Sequence, residues 1–373
     1  MCKIKNLCII GLVVILCLCF FNNIFSAEKY TIGVAAPFTG DSAPYGEWIK
    51  EGVEIALEEI NSEGEIEMTA KYLDDRGVPT EAAMVAHKFS ENKDIIAVVG
   101  HLNSSCSIAG APIYEENNLV MISPCSTAAQ LTQLGLKNVF RTVATDKIVY
   151  TQIADYVIDK LNMKKAAVFF ENSDWGRGSL EAFTLQFEKR GGQIVAAESF
   201  VPNVDKDFNP IVTKLKATDA EVFLLMANFV EAGLITRLAR NLGWDVQIIG
   251  GSGISSQSYI DTATPKAAEG AIVFTFFVSD NPDPETQKFV TKYRTIYNKE
   301  PIDVQPHSYD AVYMLAEAIK QGGNTREKLL EILPSIEFKG ATGYLKFDQY
   351  HDVPDKPIMK AIIKDGKFVA IGD

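Results

Sequence analysis

Histidine and cysteine are scarce in this chain, and positive charge is the minority sign. The four histidines among 373 residues, His87, His101, His307 and His351, are dispersed. None falls in an HExxH pattern or beside paired cysteines, so no metal centre and no cofactor is expected. Lys and Arg number 36 against 48 Asp and Glu, a formal net charge of −12. Nucleic-acid binding needs a basic stripe, so this balance argues against it. There is no GxSxG elbow, no GxxxxGKS/T loop and no GxGxxG after the first apolar run. Gly250-Gly251-Ser252-Gly253 is glycine-rich but lacks the Lys and Thr of a phosphate loop, so it reads as a turn lining a cleft. No catalytic constellation remains, and an enzyme is not expected.

Long apolar runs are also few. The longest, Leu7 to Phe21, spans 15 residues, short of the ~20 that cross a bilayer. Lys3 and Lys5 precede it and Ser26-Ala27 follow, so residues 1–27 read as an export signal, although Phe25 occupies a position that usually takes a small residue. Cys17 and Cys19 lack the small preceding residue of a lipidated cysteine. Without residues 1–27 the charge becomes −14, from 34 basic and 48 acidic residues. Four of the six cysteines leave with that segment. Cys106 and Cys125 remain, as a disulfide or as two free thiols; an exported chain permits either.

What is present is alternation. Apolar runs at Tyr30–Ala36, Met68–Leu73, Ile95–Val99, Leu119–Ile122, Val139–Thr142, Ala166–Phe170, Ile194–Phe200, Val222–Met226 and Val246–Ile249 are separated by stretches with helical spacing. Pro79 opens one such stretch, where its missing N–H costs least. Strands alternating with helices imply parallel sheets covered on both faces. About ten strands before residue 280 imply two sheets, since open twisted sheets rarely exceed ~10 strands. No Pro/Gly/Ser linker divides the chain, so it is expected to cross between lobes several times.

Two turns carry the chemistry. His101–Ser105 and Ser123–Thr127 each follow an apolar run and precede a helical pattern. In open parallel sheets ligands sit beyond the carboxyl ends of the strands, and helix starts present unpaired N–H groups to anions. Ser104, Ser105, Ser126 and Thr127 are thus either plain N-caps or paired grips on one small carboxylate. Tyr45, Trp175 and Phe229 lie near other turns, where Trp175, in Asn172-Ser173-Asp174-Trp175-Gly176, suits a cleft wall better than a core. Asp146 either caps a helix or meets a cation. Glu231 and Asp310 read as acids favouring helix N-termini.

Several stretches carry a resemblance. They are Ile32-Gly33-Val34 to Gly46, Tyr72-Leu73-Asp74-Asp75, Gly100-His101-Leu102 with Ser104-Ser105, and Ile113-Tyr114-Glu115. Met121-Ile122-Ser123-Pro124 with Thr127, Arg141-Thr142, Asp207-Phe208, Gly343-Tyr344-Leu345 and Phe347-Asp348 complete the set. The chain resembles type I periplasmic solute-binding proteins of the leucine/isoleucine/valine class, the extracytoplasmic receptors of ABC importers. The resemblance implies an α/β fold of two doubly wound parallel-sheet lobes joined by a three-crossover hinge. Lobe 1 would be 28–145 with 275–344, and lobe 2 would be 146–274 with 345–373. It also implies a monomer that binds an amino acid or related carboxylate and docks on a membrane permease. By position, Ser104, Cys125 (through its backbone) and Thr127 would hold the carboxylate. Leu102, Asn103 and Tyr45 would face the ligand side chain, and Trp175 would close from lobe 2. Two positions depart: the acid that holds the ligand ammonium falls on Ser252, and a pocket tyrosine falls on Asn228. Either Asp146 or Glu231 takes the acid's part, or the ligand lacks an ammonium. The family disulfide has no first cysteine near Asp75.

Overall fold

The computed structural model describes residues 28–202 and 204–372; the expected export signal lies outside them. Strand β1 (Glu28–Ala36) pairs in parallel with β2 (Ile66–Asp74) and β3 (Ile95–Gly100). β4 (Val120–Ser123) and β5 (Val139–Arg141) extend the sheet, which runs 2-1-3-4-5 with every pair parallel. The intervening helices are α1 (Ala43–Glu63), α2 (Pro79–Glu91), α3 (Ser104–Glu115) and a single turn, α4 (Gln130–Gln133). The inner strands β3 and β4 are covered by helices on both faces and are almost wholly buried, whereas the edge strand β2 alternates between apolar and polar residues.

The second sheet begins after α5 (Asp146–Asp159). Its parallel part holds β6 (Lys165–Glu171), β7 (Gln193–Phe200), β8 (Val222–Met226), β9 (Gln247–Gly250) and β10 (Ile272–Thr275). Between them run α6 (Asp174–Lys189), α7 (Asn209–Lys216), α8 (Phe229–Asn241), α9 (Gln257–Ala263) and α10 (Pro265–Ala268). The chain then returns to the first sheet as α11 (Pro284–Tyr297), α12 (Val304–Lys320), α13 (Arg326–Ile332) and a separate hairpin, β11 (Glu337–Gly340) with β12 (Gly343–Lys346). Finally β13 (Met359–Lys364) and β14 (Lys367–Ala370) add an antiparallel edge to the second sheet, in the order 14-13-10-9-8-6-7. The ten strands expected before residue 280 are there, split between two sheets. β10 and β11 are too short to show a sequence period.

Helix α12 lies along α1. At Gly52 an added Cβ would sit 2.1 Å from the Gln305 carbonyl, so only glycine permits this approach. Glu59 of α1 accepts from Tyr309 at 2.7 Å and Tyr313 at 2.8 Å, which fixes the rotation of α12. Arg326 is buried and donates to five carbonyls, those of Phe89, Ser90, Asn92, Ile95 and Asn117. It thereby satisfies the orphan end of α2 and ties α13 to β3.

Three expectations are corrected. The helix expected after Ser123–Thr127 reduces to α4, because the buried Arg141 draws the carbonyls of Ser126 (2.8 Å) and Ala128 (3.1 Å) into its own bonds. Asp310 is not at a helix start. It sits wholly buried inside α12, accepting from the amides of Ala341 and Thr342. Asp146 is the first residue of α5, after the N-cap Thr145. It forms no ion pair among the described residues; Arg141 pairs with Asp352 at 2.7 Å.

Candidate functional site

The strand ends of both sheets face one another across a cavity of about 390 Å³. On the first lobe, His101 is the buried base of the wall. Its Nδ1 lies 2.6 Å from Asp75 and its Nε2 3.1 Å from the Tyr114 hydroxyl. From this base the chain turns into α3, so that Leu102, Asn103, Ser104 and Ser105 reach the cavity. Cys125 and Thr127 reach it from the turn after β4, and Tyr45 from the first turn of α1. Helix α1 starts at Ala43, and Pro44 fits its first turn; Tyr45 is therefore held on a helix.

Ser126 does not line the cavity. It is buried between the two turns. Its Oγ lies 2.7 Å from Ser107 Oγ and is within 3.1 Å of the Leu102 carbonyl. Ser123 Oγ adds a bond of 2.8 Å to the His101 carbonyl and accepts from the Ser126 amide at 2.9 Å. These hydroxyls weld the turns into one unit and leave Ser104, Ser105 and Thr127 as the hydroxyls at the surface of the cavity. Cys106 and Cys125 are free thiols. Burial pushes the Cys125 thiol well above its usual range, with the Asp303 carboxyl adding to the effect.

Asp146 also stands behind the wall. It lies under Thr127, Ser179 and Trp175, hydrogen-bond neighbours that lower its pKa, but burial is the larger effect and pushes it up to about 7. Its Oδ2 has no hydrogen bond of normal geometry. Asp146 therefore supports a hydroxyl of one lobe and an indole of the other from outside the cavity.

From the second lobe come Trp175, Asn228 and Ser252. Ser173 caps α6 by accepting from Gly176 N–H at 3.3 Å. That cap sets Trp175 in the first turn, with its ring tip packed on Gly253: a Cβ there would be 3.2 Å from the indole. Asn228 precedes α8. Its amide Nδ2 donates to Glu171 at 3.4 Å, while its Oδ1 accepts from Tyr45 at 3.2 Å across the cavity. Ser105 Oγ accepts from Asp174 N–H at 3.1 Å, a second bridge between lobes. Lys206 and Asp41 pair at 2.8 Å at the mouth. Tyr45 also packs on Phe229, with ring centroids 5.3 Å apart. The lobes are thus closed on each other.

Two buried carboxylates in the cavity were absent from the sequence reading. Glu171 ends β6 and is 5% exposed. Burial pushes its pKa up to about 7, with the Ser173 hydroxyl opposing and Glu231 adding to the rise. Asp303 precedes α12 and is 7% exposed. Burial pushes it up to about 7 as well, against the amides of Asp303 and Val304. No ion pair forms to either among the described residues. Glu231, in the first turn of α8 as expected, also lines the cavity, and burial raises it too. The signal for Glu171 was available: it is an acid at the carboxyl end of a parallel strand, where ligands sit.

Among known proteins, the profile of the family described as "Periplasmic binding protein" matches residues 29–367. The chain is 32% identical to the Leu/Ile/Val-binding protein homolog 3 of Brucella melitensis, over 93% of this chain and 95% of that one. It is 29% identical to the leucine-, isoleucine-, valine-, threonine-, and alanine-binding protein of Pseudomonas aeruginosa, over 90% of each. Among solved structures it is similar to the substrate-binding protein LivJ of Streptococcus pneumoniae in complex with isoleucine. The TM-score is 0.86 at 28% identity, covering 92% of this chain and 99% of that one. The leucine-binding protein LivK of Thermotoga maritima gives 0.86 at 30% identity, covering 92% and 98%.

Proposed function

Because this chain belongs to the periplasmic binding protein family, we propose that it is the extracytoplasmic capture component of an ABC importer for a small amino acid. The aliphatic amino acids, which its relatives bind, are the reference class. In this reading residues 1–27 are the export signal. Lobe 1 is 28–145 with 275–344, and lobe 2 is 146–274 with 345–373. The chain carries out no turnover. It closes on its ligand and presents the closed form to a membrane permease.

The carboxylate docks on lobe 1, at the hydroxyls of Ser104, Ser105 and Thr127 and the backbone at Cys125. Each charge-assisted bond there contributes roughly 1.5–3 kcal/mol. The start of α3 adds ~0.3–1 kcal/mol. Lobe 2 then closes with Trp175 and Asn228. The ligand shifts the hinge only through contacts that are better in the closed state.

One observation carries the amino-acid reading: Glu171 is a buried carboxylate in the cavity with no ion pair to a cation among the described residues. An α-ammonium supplies that cation. Glu171, at the end of β6, thus takes the part that falls to neither Ser252 nor Asp146, with Glu231 as its acidic neighbour. A carboxylate ligand without an amine would leave Glu171 buried and unpaired, at a cost of several kcal/mol if charged.

The test is a thermal-shift and calorimetric comparison of leucine with 4-methylpentanoate, the same skeleton lacking the amine. Leucine is expected to raise Tm and bind, and 4-methylpentanoate to do neither. Equal binding of the two, or binding of the amine-free acid alone, rejects the reading.

A further inference from the structure

Glu171 answers one positive charge, and the cavity holds a second acid with different neighbours. Asp303 belongs to lobe 1, at the start of α12, and lines the same cavity as Tyr45 and Cys125, both of which feel its charge. Glu171 belongs to lobe 2 and adjoins Asn228, Ser173 and Glu231. The two acids enter the one cavity from opposite lobes, on β6 and at the start of α12. The Asp303 carboxyl is more than nine-tenths buried. Its polar neighbours are two main-chain amides, its own and that of Val304.

We infer that Asp303 is a specificity-determining residue that selects, among amino acids of similar size, those whose side chain ends in a positively charged hydrogen-bond donor. The inference rests on the amino-acid reading and narrows its ligand class. With the ligand carboxylate at Ser104 and Thr127 and its ammonium at Glu171, the side chain is left for the region of Tyr45, Leu102 and Asn103. Asp303 lines the same cavity as these residues. An alkyl end there displaces water from a carboxylate and returns no hydrogen bond. An ammonium of equal size pairs with the carboxylate. Buried polar groups in a site discriminate strongly against analogues lacking the matching group.

The experiment uses isosteric pairs on the exported chain freed of co-purified ligand: ornithine against norleucine, and 2,4-diaminobutyrate against norvaline, by calorimetry at pH 7.5 (about one charge state for each ω-amine). The amino member of each pair is expected to bind at least ~tenfold more tightly. In folded Asp303→Asn, or in Asp303→Ser if the first does not fold, the ornithine-to-norleucine affinity ratio is expected to drop by about tenfold or more. Norleucine binding the native protein as tightly as ornithine overturns the inference and leaves the amino-acid reading intact. An unchanged ratio in the folded variant also overturns it. Failure of all four compounds and of leucine rejects the amino-acid reading, and this inference with it.

Discussion

The Tyr45 hydroxyl donates to Asn228 Oδ1 at 3.2 Å, tying the first turn of a lobe 1 helix to the residue that opens a lobe 2 helix. The same asparagine donates to Glu171, so one amide joins the closure of the cleft to the acid within it. Tyr45 is buried, and its phenol is held well above its usual pKa by burial, with Asp303 adding. It is therefore a neutral donor at any working pH.

Removing that bridge should loosen closure. Tyr45→Phe keeps the ring packing on Phe229 and Trp48 and deletes one hydrogen bond, a net ~0.5–1.5 kcal/mol. The ligand-free closed population then falls by a factor of about 2 to 10, and apparent affinity weakens by up to that factor. Small-angle scattering of the ligand-free variant is expected to show a larger radius of gyration than the native chain. Identical scattering and affinity would count against a closing role.

Ser104→Ala and Thr127→Ala should each weaken amino-acid binding by about 1–2 kcal/mol, roughly tenfold. They should differ in stability. Ser104 Oγ accepts from the Ala128 amide at 3.2 Å, so its loss also orphans a buried N–H, at ~1–3 kcal/mol. Thr127 lies over Asp146, so its loss strips a neighbour from an acid already raised by burial. Calorimetry checks the affinities and urea denaturation the stabilities; full-strength binding by both variants would remove the carboxylate grip.

Much of this was legible in advance, and what was missed has physical causes. The alternation of buried strands and amphipathic helices was plain because both faces of each sheet are covered, as in β8, where all five residues are buried. Ser104, Ser105 and Thr127 stood out as hydroxyls in turns at strand ends, where a plain N-cap was the competing use. Ser126 looked the same in sequence, yet its neighbours across the turn, Ser107 and the Leu102 carbonyl, consume its hydroxyl. Asp303 carried only the mark of a helix start, and its place in the cavity depends on α12 returning to the first lobe after the second sheet is nearly complete. Asp146 was the reverse case: an acid at a helix start whose partners, Thr127 and Trp175, belong to different lobes.

Glu171 gives a pH signature with a definite sign. Its folded-state pKa, about 7, lies above that of an ordinary glutamate, 4.5. The folded state therefore holds the proton more tightly than the unfolded one. Its stabilising contribution is fully present below about pH 4.5 and is lost as pH rises through 7, up to about 3 kcal/mol. Asp146 and Asp303 act in the same direction. Ligand-free Tm should fall between pH 5 and 8, and Glu171→Gln should flatten part of that fall while weakening amino-acid binding at pH 8. Native affinity should rise over the same window with release of about one proton, read from calorimetry in buffers of different ionisation heat. Affinity that is flat with pH in the native chain would show that Glu171 does not meet the ammonium.

Asp310 and Lys356 set the last expectation, which concerns the return of the chain to the second sheet. Asp310 accepts from the Ala341 amide at 2.8 Å and the Thr342 amide at 2.9 Å, and Lys356 Nζ donates to the Thr342 hydroxyl. Both charges are buried. Burial lowers Lys356 to about 8, with Asp310 opposing the fall, and burial raises Asp310, with Lys356 opposing the rise. Each charge is thus tolerated because of the other. Asp310→Asn or Lys356→Met alone should cost ~3–5 kcal/mol, since each strands a buried charge. The double variant removes both charges and should cost less than the sum by about 2 kcal/mol or more. Urea denaturation of the four proteins measures the cycle. Additive losses would mean that the two residues hold the hairpin and the crossover independently, with the hydrogen bonds to Thr342, and not the attraction between the two charges, joining α12 to the path into β13.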